Sequence, residues 1–259
     1  MKTSLSLLFI FISISFICCN DNSTSPENIN KAGFCLTFDD TYINDWNSII
    51  PILDSNNVKA TFFLTQLYKV SENEIILLRK FKEKGHEIGC HGWHHLNAMD
   101  FLENNLLTDY INKEISPAIN FMDSCGFHPT AFSYPYGYNC DSLDKSLLKS
   151  FSLLRDVTDE QRKPLEKNIE DIEEIYYKFD DEKVISSLRI DANFNISLDM
   201  IEAGFKRVVE KNEVIVFYSH CPIKKCNSTY QIEYQYLRDV FKLAEKYKLK
   251  SYTFTELTK

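Results

Sequence analysis

The stretch "GFCLTFDDTY", residues 33–42, decides the fold. Phe34 to Phe38 form a continuous apolar run of the kind that makes a buried strand, yet the run ends in two adjacent carboxylates, Asp39 and Asp40. Downstream, "INDWNSIIPILDSNN" places Trp46, Ile49, Ile50 and Leu53 at helical spacing, and "ATFFLT" returns to a strand pattern. The alternation continues through a helix in "ENEIILLRKFKEKG", "HEIGCHG", a long polar-apolar segment at 101–124, "AFSYPYG", a helix near 141–149 and "SFSLLRDV". A helix around 197–211, "EVIVFYSH", a helix around 231–247 and "SYTFT" complete it. Strands alternating with helices require parallel crossovers, and continuously apolar strands require a sheet covered on both faces. The chain is therefore expected to fold as an α/β barrel or a doubly wound sheet.

The 259 residues, 44% of them hydrophobic, suffice for one sizeable core. A formal charge of -8 provides no basic face for phosphate backbones or anionic lipid, which disfavours nucleic-acid binding. The N-terminus carries Lys2, an apolar run from Leu5 to Ile17, and Cys18-Cys19. The run is too short for a comfortable membrane span and sits where an export signal would. Residues 1–19 read as a lipoprotein-type signal peptide, with Cys19, preceded by the small Cys18, as the lipidated residue. The alternative is an ordinary signal peptide cut further on, or a plain membrane anchor. Residues 20–32 have the composition of a flexible tether, which leaves 33–259 as the folded domain of an exported, lipid-anchored monomer. Among the remaining cysteines, Cys35, Cys90 and Cys221 lie in apolar runs and read as buried thiols, while Cys221 and Cys226 are near enough in sequence to close a small loop. The charged stretch 159–187 reads as a surface excursion between two strands, its acidic run solvated.

Polar residues collect at strand C-termini: Asp39 and Asp40, His91 and His95 in "HGWHH", the "SYPYG" turn, and His220 after "VIVFYS". In parallel α/β folds that edge gathers the active site. His91 and His95, four apart, can face one side of a helical turn, and two imidazoles with a carboxylate make an open divalent-metal site that suits zinc. A bound cation also removes the repulsion between Asp39 and Asp40: Asp40 can ligate while Asp39 takes a proton from the attacking water. The competing explanation, an Asp pair capping the helix near Ile43, accounts for one carboxylate better than for two.

These motifs, in this order, resemble the polysaccharide deacetylases, the NodB-like carbohydrate esterase family 4. "TFDD" at Thr37 to Asp40, "HGWHH" at His91 to His95, "SYPYG" at Ser133 to Gly137, "RID" at Arg189 to Asp191 and "FYSH" ending at His220 carry the resemblance. It spans about residues 33 to 255. It implies a distorted (β/α) barrel of about seven parallel strands and metal-dependent removal of acetyl groups from N- or O-acetylated glycan. It further implies Asp40, His91 and His95 as ligands of one divalent ion, usually zinc. Asp39 would be the general base, His220 the general acid, Asp191 its partner, and the backbone N–H of Tyr136 an oxyanion donor.

Two positions depart from the family pattern. Ser133 stands where an Arg usually orients the base, and Gly92 where a Ser or Thr usually follows the first histidine. Either Arg189 supplies the missing guanidinium from another strand, or the chain is a catalytically weakened carbohydrate-binding relative. Trp93, Tyr134, Tyr136, Tyr138 and Tyr218 lie in the same motif loops, where rings can stack on sugars.

Overall fold

The computed structural model describes residues 30–162 and 165–258; the expected signal peptide, Cys19 and nearly all of the expected tether lie outside them. The strands in chain order are β1 (Gly33–Asp40), β2 (Ala60–Leu64), β3 (Glu87–Cys90), β4 (Ala131–Ser133), β5 (Leu153–Val157), β6 (Tyr176–Tyr177), β7 (Val184–Arg189), β8 (Val214–Ser219), β9 (Cys221–Ile223), β10 (Gln231–Glu233) and β11 (Lys250–Tyr252). The helices are α1 (Ile43–Ser55), α2 (Glu72–Glu83), α3 (Ala98–Leu102), α4 (Leu107–Tyr110), α5 (Ser116–Ser124), α6 (Asp141–Leu147), α7 (Leu198–Lys211) and α8 (Tyr234–Lys246). Strands β1, β2, β3, β4, β5, β7 and β8 pair in that order, all parallel, and β8 pairs back onto β1, from Gly33 opposite Val214 to Phe38 opposite Ser219. The sheet is thus a closed barrel of seven parallel strands. Closure leaves no edge along these seven strands, while β11 extends the start of β1 and β6 joins β8 antiparallel.

Both faces of the strands are buried, which explains their unbroken apolar runs. Outward residues such as Phe34, Phe38, Phe62 and Phe217 join Trp46, Ile49 and Leu53 of α1 and the apolar faces of α7 and α8 in the larger core. Inward residues form a second core, with Cys35, Phe63, Ala131, Leu153, Ile185, Val214 and Val216 above Phe254 and Leu257. Each fully buried large apolar side chain contributes about 1.5–3 kcal/mol by leaving water. The two-residue period then carries the inward face into polar residues: Asp39 after Cys35, Ser133 after Ala131, Arg155 after Leu153, Ser187 and Arg189 after Ile185, and Tyr218 after Val216. The barrel is apolar at its base and chemically equipped at its mouth.

The 159–187 stretch is more than a surface excursion. Ile169, Ile172 and Ile175 are fully buried, and Tyr176 with Tyr177 forms β6. Its acidic Glu173 pairs with the buried Arg207 at 2.8 Å, and Arg207 also holds Glu213 at 2.9 Å. The apolar residues, spaced by three, were masked in sequence by the charges between them. Cys35, Cys90 and Cys221 are buried, and all six described cysteines are free thiols, so Cys221 and Cys226 do not close a loop. Among the described residues no helix is long and apolar enough to cross a membrane.

Candidate active site

Asp39 and Asp40 end β1, and alternation sends them different ways: Asp39 is buried, while Asp40 turns toward the mouth with φ 81°. His91 follows β3 directly. His95 lies not on a helical turn, as its spacing suggested, but in an irregular loop, with φ 67°. Tyr136, after β4, has φ 62°. Positive φ in three non-glycine residues at one mouth marks a backbone held in sparsely populated conformations by its surroundings.

His91 Nδ1 lies 2.7 Å from the carbonyl oxygen of Ser133. A carbonyl only accepts, so Nδ1 carries the proton and Nε2 presents its lone pair to the mouth. That lone pair lies 3.9 Å from Asp40 Oδ1 and 4.0 Å from Asp39 Oδ2, while His95 Nε2 is 3.3 Å from Asp40 Oδ1. Burial pushes His91 down to about 3, with Asp39 only partly opposing, so His91 is neutral near pH 7 and its approaches to the carboxylates are not ion pairs. One ligand atom from each of Asp40, His91 and His95 fits within a 4.8 Å spread. A carboxylate and two imidazoles converging in this way form a donor set that fits a cation, and the buried Asp39 Oδ1 has no hydrogen-bond partner.

The loop carrying His95 is shaped from below. Glu114, fully buried on a π-helical turn (Ile111–Ile115), accepts the backbone N–H of His94 at 2.8 Å and of Leu96 at 2.9 Å, and also bonds the N–H of His95. Gly92, with φ 83°, lies against it, and a Cβ there would stand 2.4 Å from Glu114 Oε1. The glycine that departs from the family pattern is the one residue that leaves room for this carboxylate.

Arg155 resolves the other departure. Its side chain is wholly buried, and its Nη2 donates to Asp39 Oδ2 and to Ser133 Oγ while Nη1 donates to Ser187 Oγ at 2.6 Å. The guanidinium carbon lies 4.6 Å from the Tyr218 ring centre. Burial alone would raise the Asp39 pKa, but Arg155, then His91 and His220, outweigh it and hold the carboxyl below its ordinary value. Asp40 lacks such a partner, and burial raises it. The expected Arg189 is corrected here: it lines the same cavity but does not reach Asp39. Ser133 and Arg155 are direct register partners on β4 and β5, so the guanidinium has moved one strand over while aiming at the same carboxylate. The inward phase of "LLRDV" after "AFS" was the available sequence signal, and it required knowing the register.

Across the mouth, His220 Nδ1 lies 2.6 Å from Asp191 Oδ2, and Asp191 Oδ1 accepts from Ser219 Oγ at 2.5 Å and from the His220 backbone N–H at 3.2 Å. Trp46 Nε1 donates to the His220 carbonyl at 2.9 Å. Burial would lower the His220 pKa, but the Asp191 hydrogen bond and charge prevail and raise it. Asp39, Asp40, His91, His95, Tyr136, Arg189 and His220 thus line one cavity of about 670 Å³, with Asp191 behind His220.

This closed seven-stranded barrel, with carboxylates and imidazoles gathered at its C-terminal mouth, defines the NodB-like class. The sequence model of the polysaccharide deacetylase family matches residues 27–151. Over those residues, just under half of the chain, the sequence is similar to the polysaccharide deacetylases of carbohydrate esterase family 4. It is 33% identical over 116 residues to the peptidoglycan-N-acetylglucosamine deacetylase PgdA of Listeria monocytogenes, a match covering 43% of this chain and 23% of that protein. The chain thus spans less than a quarter of that curated relative. The chitin deacetylase of Colletotrichum lindemuthianum superposes with a TM-score of 0.55 at 15% identity over 87% of each chain. The Xyl-CE4 domain of a xylanase from the hindgut metagenome of Trinervitermes trinervoides gives 0.52 at 17% identity over 88% and 90%. These two likenesses concern the fold.

Proposed function

We propose that the protein is a metal-dependent hydrolase that removes acetyl groups from N- or O-acetylated carbohydrate. The observation that carries this reading is a pair of buried proton carriers facing one cation-shaped cluster: Asp39 bonded to the Arg155 guanidinium, which holds its pKa down, and His220 bonded through Nδ1 to Asp191, which raises its pKa. Asp40, His91 and His95 would hold one divalent ion, zinc by the character of the donors, which supplies Lewis acidity toward the acetyl carbonyl and the attacking water.

Asp39 takes the proton from the attacking water, and Arg155 keeps that carboxylate ionised and fixes its orientation. As the acetyl carbon becomes tetrahedral, the Tyr136 backbone N–H stabilises the developing oxyanion. His220 then delivers a proton to the departing amine or alcohol, and Asp191 stabilises the imidazolium before transfer. The Tyr136 ring lies against that of His95, tilted, with ring centres 4.7 Å apart, and forms part of the wall that receives the sugar. Arg155 supplies the guanidinium whose absence at position 133 had suggested a weakened binding protein, which favours the catalytic reading. We also propose export with lipid anchoring at Cys19, action as a monomer on envelope or dietary glycan, and no nucleic-acid partner.

The test is acetate release from chitooligosaccharides, peptidoglycan and acetyl xylan with residues 1–19 removed, with and without added divalent metal. Asp39→Asn is expected to abolish release while still binding one equivalent of metal by calorimetry, and His91→Ala to lose the metal. Near-normal release by Asp39→Asn would overturn the base assignment.

A further inference from the structure

Two arginines on the cavity wall, Arg162 and Arg189, have no part in the proposed chemistry, and only one of them is without a partner for its charge among the described residues. Arg155 is committed to Asp39 and two serines. Arg162 is committed too: Nε donates to Asp159 at 2.6 Å, Nη2 to the Gly137 carbonyl at 2.9 Å, and the guanidinium lies 3.7 Å over Tyr138. Arg189 differs. Its guanidinium carbon sits 3.8 Å from the Phe194 ring centre and 5.2 Å from that of Tyr230, and among the described residues no carboxylate lies within ion-pair distance of it. Its Nε is buried without a hydrogen-bond partner.

The position is built. Arg189 shares the inward phase of β7 with Ser187, which holds Arg155, and with Asp191, which holds His220, so it belongs to the layer that makes the site. Its backbone is clamped at both polar groups by one side chain, Gln161, which accepts from the Arg189 N–H and donates to its carbonyl at 2.8 Å. Aromatic rings restrict the guanidinium plane and exclude water from its faces, leaving its hydrogen-bonding edge as the part still to be satisfied. A guanidinium so held, half-buried and without an anion, matches a carboxylate, whose two oxygens fit the fork.

We propose that Arg189 is an anion subsite, and that the glycan acted upon carries a carboxylate on a sugar neighbouring the acetylated one. This rests on the deacetylase reading above and names the substrate class within it. Two sources present the required group: a hexuronic acid alternating with the N-acetylated sugar, and the lactyl or peptidyl carboxylate of a muramic-type sugar. The subsite acts on binding and register, so its effect belongs in KM rather than kcat, and it weakens as salt screens the pair.

The experiment uses the metal-loaded protein with four probes: a hyaluronan-type oligosaccharide, a peptidoglycan fragment, and each of these with its carboxylates reduced to alcohols. For at least one source, wild type is expected to show kcat/KM at least tenfold higher on the carboxylate form than on its reduced counterpart. Arg189→Gln should collapse that ratio toward one through KM, and Arg189→Lys should restore part of it. The source whose ratio responds identifies the substrate. Calorimetric titration of Asp39→Asn, with and without Arg189→Gln, reads the same preference without turnover. Acetate release with a ratio that Arg189→Gln does not change overturns the subsite and leaves the deacetylase reading standing. Neither release nor binding of any acetylated glycan overturns both.

Discussion

Replacing Arg155 by Ser would expose the most consequential interaction in the molecule. Arg155 is wholly buried and Asp39 is 3% exposed, so the variant leaves a carboxylate in the barrel with no cation beside it. Removing one member of a buried, hydrogen-bonded pair costs about 3–5 kcal/mol. At roughly 2–4 °C per kcal/mol for a domain of this size, Tm should fall by roughly 6–20 °C. Catalysis should suffer as well, because the Asp39 pKa, now held down against burial, would rise once Arg155, the strongest influence opposing burial, is gone. Protonating the proposed base should lower kcat by about 10²–10⁴. Arg155→Met separates charge from volume and should behave as badly as Ser. Because Ser133 and Arg155 are register partners, the exchange variant Ser133→Arg with Arg155→Ser returns a guanidinium to the same carboxylate and should recover most of both losses. Thermal unfolding and acetate release would be measured for all four proteins. An Arg155→Ser protein within about 1 kcal/mol of wild type and within threefold in kcat/KM would refute the reasoning.

Asp191→Asn should lower the His220 pKa that Asp191 now raises, moving the alkaline limb of the kcat profile to lower pH and reducing kcat at neutral pH about a hundredfold. Since the folded pKa of His220 is raised, the stability this pair contributes is complete below the unfolded value, about 6.5, and is lost as pH rises through the folded one. The Tm gap between wild type and Asp191→Asn should therefore be widest in acid and narrow with rising pH; a gap independent of pH would contradict the assignment. Gly92→Ser, although it restores the residue type usual in the family, should destabilise by roughly 1–3 kcal/mol through its positive φ alone, with the Glu114 contact adding to that. Calorimetry should show weaker metal binding as the His95 loop shifts, and unchanged affinity would show that Glu114 does not position it.

The barrel was legible because its strands are buried on both faces and so read as unbroken apolar runs, each ending in polar residues. The cluster of Asp40, His91 and His95 was legible because each follows a strand directly or within one short loop. Arg155 was not. Its meaning depends on which strand is its neighbour and on how the two are staggered, and neither is visible from position 155 itself. The helical turn expected for His95 failed because a spacing of four is common to helices and to loops that fold back, and Glu114, 19 residues downstream, decides between them through hydrogen bonds to main chain. The buried isoleucines between 169 and 175 were hidden by the acidic residues interleaved with them, whose charges reach Arg207 and solvent while the apolar side chains turn inward.

The seam between β1 and β8 joins residues about 180 positions apart, from Gly33 with Val214 to Phe38 with Ser219. Contacts between such distant segments form late, because the loop-closure entropy must be overcome before pairing contributes anything. A chain emerging from its N-terminus therefore has Asp39 and Asp40 long before it has the strands that bring Arg155, Asp191 and His220. The first half can collapse around its helices and carries Asp40, His91 and His95, but Asp39 lacks its cation until β5 adds Arg155 and the site lacks its proton donor until His220 arrives. Assembly of the site is the final act of folding, and refolding should show recovery of acetate release lagging behind recovery of helical signal.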